Sequence, residues 1–311
     1  MSPPIAGNEQ SPRQRPRGPQ QRTTGRAQLA QHAQFAQVSP EVGVLDEEAF
    51  AAASAADPDG ALTMLADMAT ATDETLRAAA RRLAARIVLD LGRSGAPRNR
   101  GTRKLRRVTA ERGGDLDVDA SMDALLDARA QGRRPMLEEL TAREWGRPEL
   151  ALCLLVDCSG SMGGARLAAA ALTAGACAWR APGEHAVLSF AREVTVLRPM
   201  DSQRPPSTVV DSVLALRGHG VTRLTSALRA AQEQLARSRA ERRVVVLLSD
   251  CRATDSDDDP VAVAARLPEL VVLAPADDGE QAAEFAARSG ARWAPLTGVA
   301  DTPAVLAELL R

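Results

Sequence analysis

From residue 150 onward, short apolar runs alternate with stretches of helical period. ALCLLVD (151–157) is continuously apolar, the mark of a parallel strand buried on both faces. ARLAAAALTAGACAW follows as a helix. HAVLSFA predicts a strand, and EVTVLRP a shorter one after a tight turn, antiparallel at the sheet edge. PPSTVVDSVLAL and LTSALRAAQEQLARS read as helices, and RRVVVLLSD (242–250) as a second buried strand. Asp259 and Pro260 open the next helix as cap and first-turn proline. LVVLAP, QAAEFAARSG, ARWAPL and TPAVLAELL continue the alternation. This pattern predicts a doubly wound α/β fold around a mostly parallel, Rossmann-like sheet.

Upstream the pattern changes. Residues 1–40 are rich in Pro, Gln and Arg and poor in bulky apolar side chains, so a disordered tail is expected. Residues 41–92 read as a helical segment: DEEAFAAASAA, a turn at DPDG, ALTMLADMAT, and DETLRAAARRLAARIVLDLG. In the last of these, Leu76, Leu83, Ile87 and Leu91 share one stripe and Gly92 marks the stop. Such a layer is small for a core of its own. Residues 93–146 read as a basic arm and a lead-in. GDLDVDAS alternates like a short strand, MDALLDARAQG is helical, and LEELTAREW, ending at Trp145, reads as an edge strand. The main domain is then 147–311.

Charge is balanced over the 311 residues, with 39 basic and 40 acidic side chains, but unevenly spread. Residues 1–112 hold 17 basic and 12 acidic groups; the remainder is net acidic. The stretch 93–112 carries eight basic residues and one acid, Glu111, with no aromatic on which a base could stack. A solvated arm is the expectation, a docking strip for an acidic partner the sharper alternative, and nucleic acid is disfavoured. No stretch approaches the roughly 18 apolar residues of a membrane span. The N-terminus has no apolar h-region, and Cys153, Cys158, Cys177 and Cys251 form no CxxC pair. A cytoplasmic protein without a membrane role is expected. The only lysine, Lys104, stands in GTRKLRR rather than in a P-loop, so ATP hydrolysis by that route is excluded.

The candidate chemistry lies at the strand ends. Asp157-Cys158-Ser159-Gly160-Ser161-Met162 follows the first buried strand, and ligands of open α/β sheets bind outside the carboxyl ends of strands. Ser159 and Ser161 follow Asp157 at spacings of two, so one extended loop can turn three oxygens to one side. Asp250 ends the second buried strand. If the two strands are neighbours, as in a 3-2-1-4-5-6 order, both carboxylates face one crevice. Thr222, in a Gly-His-Gly-Val-Thr loop, adds a hydroxyl. An all-oxygen set of this kind selects Mg²⁺, Mn²⁺ or Ca²⁺. Neutral hydroxyls leave the ion poorly neutralised, so a remaining position suits a carboxylate from a partner.

Other readings fare worse. A nucleophile elbow on Ser161 needs Gly-x-Ser-x-Gly, but Ser159 occupies the first glycine place and no histidine follows His219. An enzyme is therefore not expected. His219 reads as a loop histidine bonded to backbone. Cys158 and Cys251 each follow a site aspartate; packed, inert thiols are expected rather than a redox pair. The run Asp255, Asp257, Asp258, Asp259 lacks the glycine and the glutamate of a calcium loop.

Asp157, Ser159, Ser161, Thr222 and Asp250 resemble the metal-ion-dependent adhesion site (MIDAS) of von Willebrand factor A (VWA) domains: Asp-x-Ser-x-Ser, a distant Thr and a distant strand-end Asp. TRLTSALRAA is similar to the family's Thr-x-Leu-x-x-Ala-Leu run, which selects Thr222, with Thr225 the alternative. The lead-in from GDLDVDAS to LCLLVDCSGSM resembles that of the magnesium chelatase D subunit and of CoxE-like bacterial proteins that work beside MoxR-type AAA+ ATPases. The chelatase subunit carries an AAA+ module ahead of this region; here a helical segment and a tail stand there. The resemblance implies a Mg²⁺-binding adaptor of a MoxR-type ATPase, acting in assembly, remodelling or metallation of a target complex. The alternative it implies is a non-ATPase subunit of a metal chelatase.

Overall fold

The computed structural model describes residues 23–93, 104–110, 115–146, 150–160, 162–218, 220–253 and 259–311. Five helices come first: α1 (Arg26–Leu29), α2 (Phe35–Val38), α3 (Glu47–Ala56), α4 (Pro58–Met68) and α5 (Glu74–Arg93). Two of these helices lie before residue 40, which corrects the expected extent of the tail. Leu29, Phe35 and Val38 are buried, and the Arg26 guanidinium lies 5.1 Å from the Phe35 ring centre while donating to the Ser39 carbonyl at 2.6 Å. Three well-placed apolar side chains anchor a segment whose average composition is polar. Residues 1–22 lie outside the described residues. DPDG is the start of α4 rather than a turn, because Asp57 accepts the Gly60 N–H at 2.9 Å and Pro58 presets the first helical φ.

The lead-in makes a small antiparallel sheet of β1 (Lys104–Thr109), β2 (Asp115–Leu116) and β3 (Thr141–Gly146), with α6 (Val118–Ala130) between β2 and β3 in sequence. Two expectations change here. The strand over GDLDVDAS is only two residues long, because Asp117 caps α6 through the Ala120 N–H. The strand in LEELTAREW is not at an edge: β3 is central, in the order β1-β3-β2, since part of the basic arm pairs with it from Lys104↔Gly146 to Thr109↔Thr141.

The main sheet contains β4 (Leu150–Asp157), β5 (His185–Phe190), β6 (Val194–Arg198), β7 (Arg242–Leu248), β8 (Leu270–Pro275) and β9 (Arg292–Leu296). Its order is β6-β5-β4-β7-β8-β9, the anticipated 3-2-1-4-5-6, parallel throughout except for edge strand β6. The period of two is visible in β4. Leu152, Leu154 and Val156 join one core; Ala151, Cys153 and Leu155 join the other. The second core is closed by α9 (Leu224–Ala236), α10 (Pro260–Ala264) and α11 (Glu280–Ser289). The first is closed by α7 (Gly164–Arg180), α8 (Pro206–Leu214) and α12 (Thr302–Leu309).

The N-terminal helices are a further layer on that first core, not a separate body. α4 and α5 pack on the outer side of α7, and Leu62, Leu65 and Leu83 belong to the same cluster as Leu154 and Leu172. The contact is close. A Cβ on Gly175 of α7 would stand 2.8 Å from Val88 Cγ1 and 2.9 Å from the Val88 carbonyl oxygen of α5. Covered on two sides, α7 is buried over nearly its whole length.

At the end of the sheet remote from the candidate site, Glu269 ties three strands. Arg242 donates to its two oxygens at 2.8 and 2.7 Å, and Arg292 also pairs with it. These bonds, Arg242 first, hold the Glu269 carboxyl below its ordinary range. A depressed carboxylate pKa stabilises the fold above the unfolded value, and that contribution is lost as pH falls through the folded one. Glu269→Gln is thus expected to lower the melting temperature at pH 7 and to narrow its gap to the parent below pH 4, in melts across pH.

Candidate metal centre

Asp157 and Asp250 stand at the carboxyl ends of adjacent parallel strands. Val156 pairs with Leu248, which sets Asp157 beside Ser249 and Asp250 one residue beyond. Asp157 Oδ1 accepts the Ser159 N–H at 2.8 Å, and Oδ2 accepts the Ser249 hydroxyl at 2.5 Å. Asp250 Oδ1 accepts the Arg252 N–H at 3.0 Å. Cys251 holds φ at 60°, a left-handed turn that L-residues rarely adopt, fixed by its N–H on Ser249 Oγ at 2.9 Å. Burial pushes the Asp157 carboxyl above its usual range, the Ser249 and Ser159 hydrogen bonds oppose this, and the Asp250 charge adds to the rise. Among the described residues, no cation forms an ion pair with either carboxylate. Cys158 and Cys251 are both buried, their thiols pushed up to about 12 by burial first and then by the aspartates. Protonated thiols of this kind are poor nucleophiles.

The loop bearing Thr222 is locked against the first one. Gly218 lies so close that a Cβ there would sit 1.6 Å from the Gly160 carbonyl oxygen and 3.0 Å from the Met162 nitrogen. The Arg223 N–H donates to the Ala191 carbonyl at 3.0 Å, pinning the loop to the end of β5. Thr222 is buried just before α9; Thr225 is buried in its first turn. Ser161 and His219 lie outside the described residues, as do Asp255, Asp257 and Asp258. Asp259 caps α10 through the Val261 N–H at 3.0 Å.

Asp157, Ser159 and Asp250 open onto a cavity of about 450 Å³ whose wall includes Met162, Leu248 and Val299, with Arg166 and Asp277 at its charged side. Thr222 does not line it. Helix α4 grips two of the surrounding loops. Asp67 Oδ1 accepts the Gly164 N–H at 2.8 Å, in the first turn of α7, while Asp67 Oδ2 meets His32 Nε2 at 3.0 Å. Asp59 Oδ1 accepts the Ala300 N–H at 2.7 Å, beside the cavity residues Gly298 and Val299. Sequence reasoning missed Ser249, Asp67, Asp59 and Gly218. Only Ser249, adjacent to Asp250, had a local signal.

A carboxylate at a helix N-terminus satisfies an orphan N–H and favours the helix dipole. Asp67→Ala is therefore expected to destabilise the protein by about 0.5–2 kcal/mol. It should also weaken divalent-ion binding, while Asp67→Asn retains part of both. Chemical denaturation and ion titration of the two variants check this.

The donors present suit a hard divalent cation. Asp157, Ser159, Ser249 and Asp250 line one cavity, and its described lining residues include no thiol or imidazole. Among the described residues, no group of three or more His, Cys, Asp or Glu comes together as a metal site, so the two carboxylates would depend on hydroxyls and water to complete a coordination shell. No described helix is long and apolar enough to cross a membrane.

The family described as VWA domain containing CoxE-like protein matches residues 79–295. No curated protein matches the chain. Among solved structures, an aerotolerance-related membrane protein from Bacteroides fragilis NCTC 9343 is 15% identical, covering 52% of this chain and 98% of its own, at a TM-score of 0.43. BatB from Bacteroides thetaiotaomicron is 11% identical over 52% of this chain and 97% of its own, at 0.42. A von Willebrand factor type A protein from Catenulispora acidiphila is 15% identical over 54% of this chain and 43% of its own, also at 0.42. None of these structural likenesses bears on function. The family match spans most of the chain and includes both strand-end aspartates: the protein belongs to the CoxE-like family of VWA domain proteins.

Proposed function

We propose that the protein is a cytoplasmic, non-enzymatic adaptor that recruits a partner through a bound Mg²⁺ ion. Asp157, Ser159, Ser161, Thr222 and Asp250 hold the ion, directly or through water, as a MIDAS. The ion supplies a positive charge with one position for an Asp or Glu of the partner. The protein's own part is to fix the donors: β4 and β7 set the carboxylates, Ser249 orients Asp157, and α4 steadies the loop that carries the serines. Family membership favours a MoxR-type AAA+ ATPase as the working partner, in assembly, remodelling or metallation of a target complex. The observation that carries the reading is the pairing of β4 with β7, which brings two carboxylates, with no ion-pair partner among the described residues, to one crevice. No comparable observation favours the chelatase subunit.

The test is affinity purification of the tagged full chain with Mg²⁺ or with EDTA. An AAA+ ATPase should be recovered with Mg²⁺, be lost with EDTA and with Asp157→Ala, and weaken with salt. Recovery unaffected by EDTA rejects the metal-dependent mechanism; recovery of no ATPase rejects the partnership.

A further inference from the structure

Helix α6 carries large apolar residues on its outer side as well as its inner one. Ser121 and Ala128 are its buried residues, with Leu125 half-buried on the same side. Ser121 Oγ donates to the Thr141 carbonyl at 3.1 Å and accepts the Thr141 N–H at 2.9 Å. Asp117, at its cap, receives Arg143 Nε at 2.7 Å and Nη2 at 3.0 Å. These bonds fix α6 on β3. Val118, Met122 and Leu126 face away, 50%, 43% and 56% exposed. Steps of four make them one continuous row along the helix. Leu116, just ahead of the helix, is exposed too.

An apolar row alone would not say what covers it, but a second row does. Asp119, Asp123 and Asp127 each follow one of the apolar residues and are exposed, so they run parallel to that row, about 100° round the helix. Arg143 and Arg133 are near enough to feel Asp119 and Asp127, yet they are engaged elsewhere, Arg143 on Asp117 and Arg133 on Glu139. Among the described residues none of the three aspartates has an ion-pair partner. An acidic border repels an anionic lipid surface. It also disfavours α6 pairing with α6 of a second copy, which would align carboxylates along one seam.

We propose that α6 is a docking surface for an amphipathic helix of a partner protein, one whose apolar stripe is bordered by Arg or Lys. Helix-on-helix recognition reads anchors at this spacing, and charge complementarity along one flank sets the orientation. The surface belongs to the three-stranded module and uses none of the candidate metal ligands, so it stands or falls independently of the metal reading.

The test is titration of the full chain into a fluorescein-labelled helical Leu/Lys peptide, with leucines along one face and lysines bordering it. A control peptide carries Glu in place of Lys. Saturable binding of the Lys peptide is expected. It should weaken at least tenfold for Met122→Ser/Leu126→Ser and for Asp119→Asn/Asp123→Asn/Asp127→Asn, with circular dichroism and melting of both variants unchanged. The Glu peptide should not bind. Equal affinity of parent and variants, or equal binding of the Glu peptide, overturns the proposal. So does dimerisation of the parent that is lost in Met122→Ser/Leu126→Ser, which would make the occupant a second copy.

Discussion

Replacing Asp157 by alanine is expected to abolish the response of the protein to Mg²⁺ while leaving it folded. The carboxylate is half-buried at a strand end beside Asp250 and meets hydroxyl and amide donors, with no ion-pair partner among the described residues. Without the ion, it therefore contributes little to stability. Its loss leaves the Ser249 hydroxyl and the Ser159 N–H without their acceptor, a cost of about 1–3 kcal/mol that release of the buried charge offsets. The ion reverses the balance. A ligand at about 100 times its Kd stabilises the folded state by about 2.7 kcal/mol. For a chain of this size that is roughly 4 °C in melting temperature. Differential scanning calorimetry should show a rise of this order for the parent protein on adding Mg²⁺, and none for Asp157→Ala. A variant that melts alike in EDTA and still gains with Mg²⁺ would place the ion elsewhere.

Gly218→Ala is expected to damage the site through its backbone. The new methyl would stand 1.6 Å from the Gly160 carbonyl oxygen, and backbone cannot rotate aside as a side chain can. The two loops must separate by more than an ångström, which moves the Ser159 segment away from the Thr222 segment. Overpacking of this kind costs about 1–3 kcal/mol. Ion affinity should fall by tenfold or more, equivalent to about 1.4 kcal/mol per factor of ten. Gly220→Ala is the control: it lies in the same loop, yet a Cβ there meets nothing within 4 Å. Chemical denaturation and Mg²⁺ titration of the pair should separate them, Gly220→Ala tracking the parent. Equal behaviour of the two variants would mean that the loop contact does not hold the site.

The sheet was legible in the sequence because strands buried on both faces are continuous apolar runs. ALCLLVD and RRVVVLLSD are of strand length, and their last residues marked Asp157 and Asp250. What was not legible depended on partners far away in sequence. Asp67 bonds the Gly164 N–H across 97 positions, and Asp59 bonds Ala300 across 241; neither carries a local mark of that role. Leu29, Phe35 and Val38 are too sparse to signal packing by composition, yet all three are buried. β3 became a central strand only because the basic stretch at 104–109 pairs with it, a use that its charge argued against. α6 misleads in the other direction, since the row Val118, Met122 and Leu126 would be assigned to a core and is instead exposed.

The central claim is that the carboxylates of Asp157 and Asp250 grip one divalent ion between them. Mn²⁺ tests it directly, because its electron paramagnetic resonance sextet from free ion fades on binding. Titration of Mn²⁺ into the full chain should give one bound ion per chain, displaced by Mg²⁺, and lost in both Asp157→Ala and Asp250→Ala. A free-ion signal undiminished by the parent protein, or one-to-one binding that survives in both variants, would contradict the account.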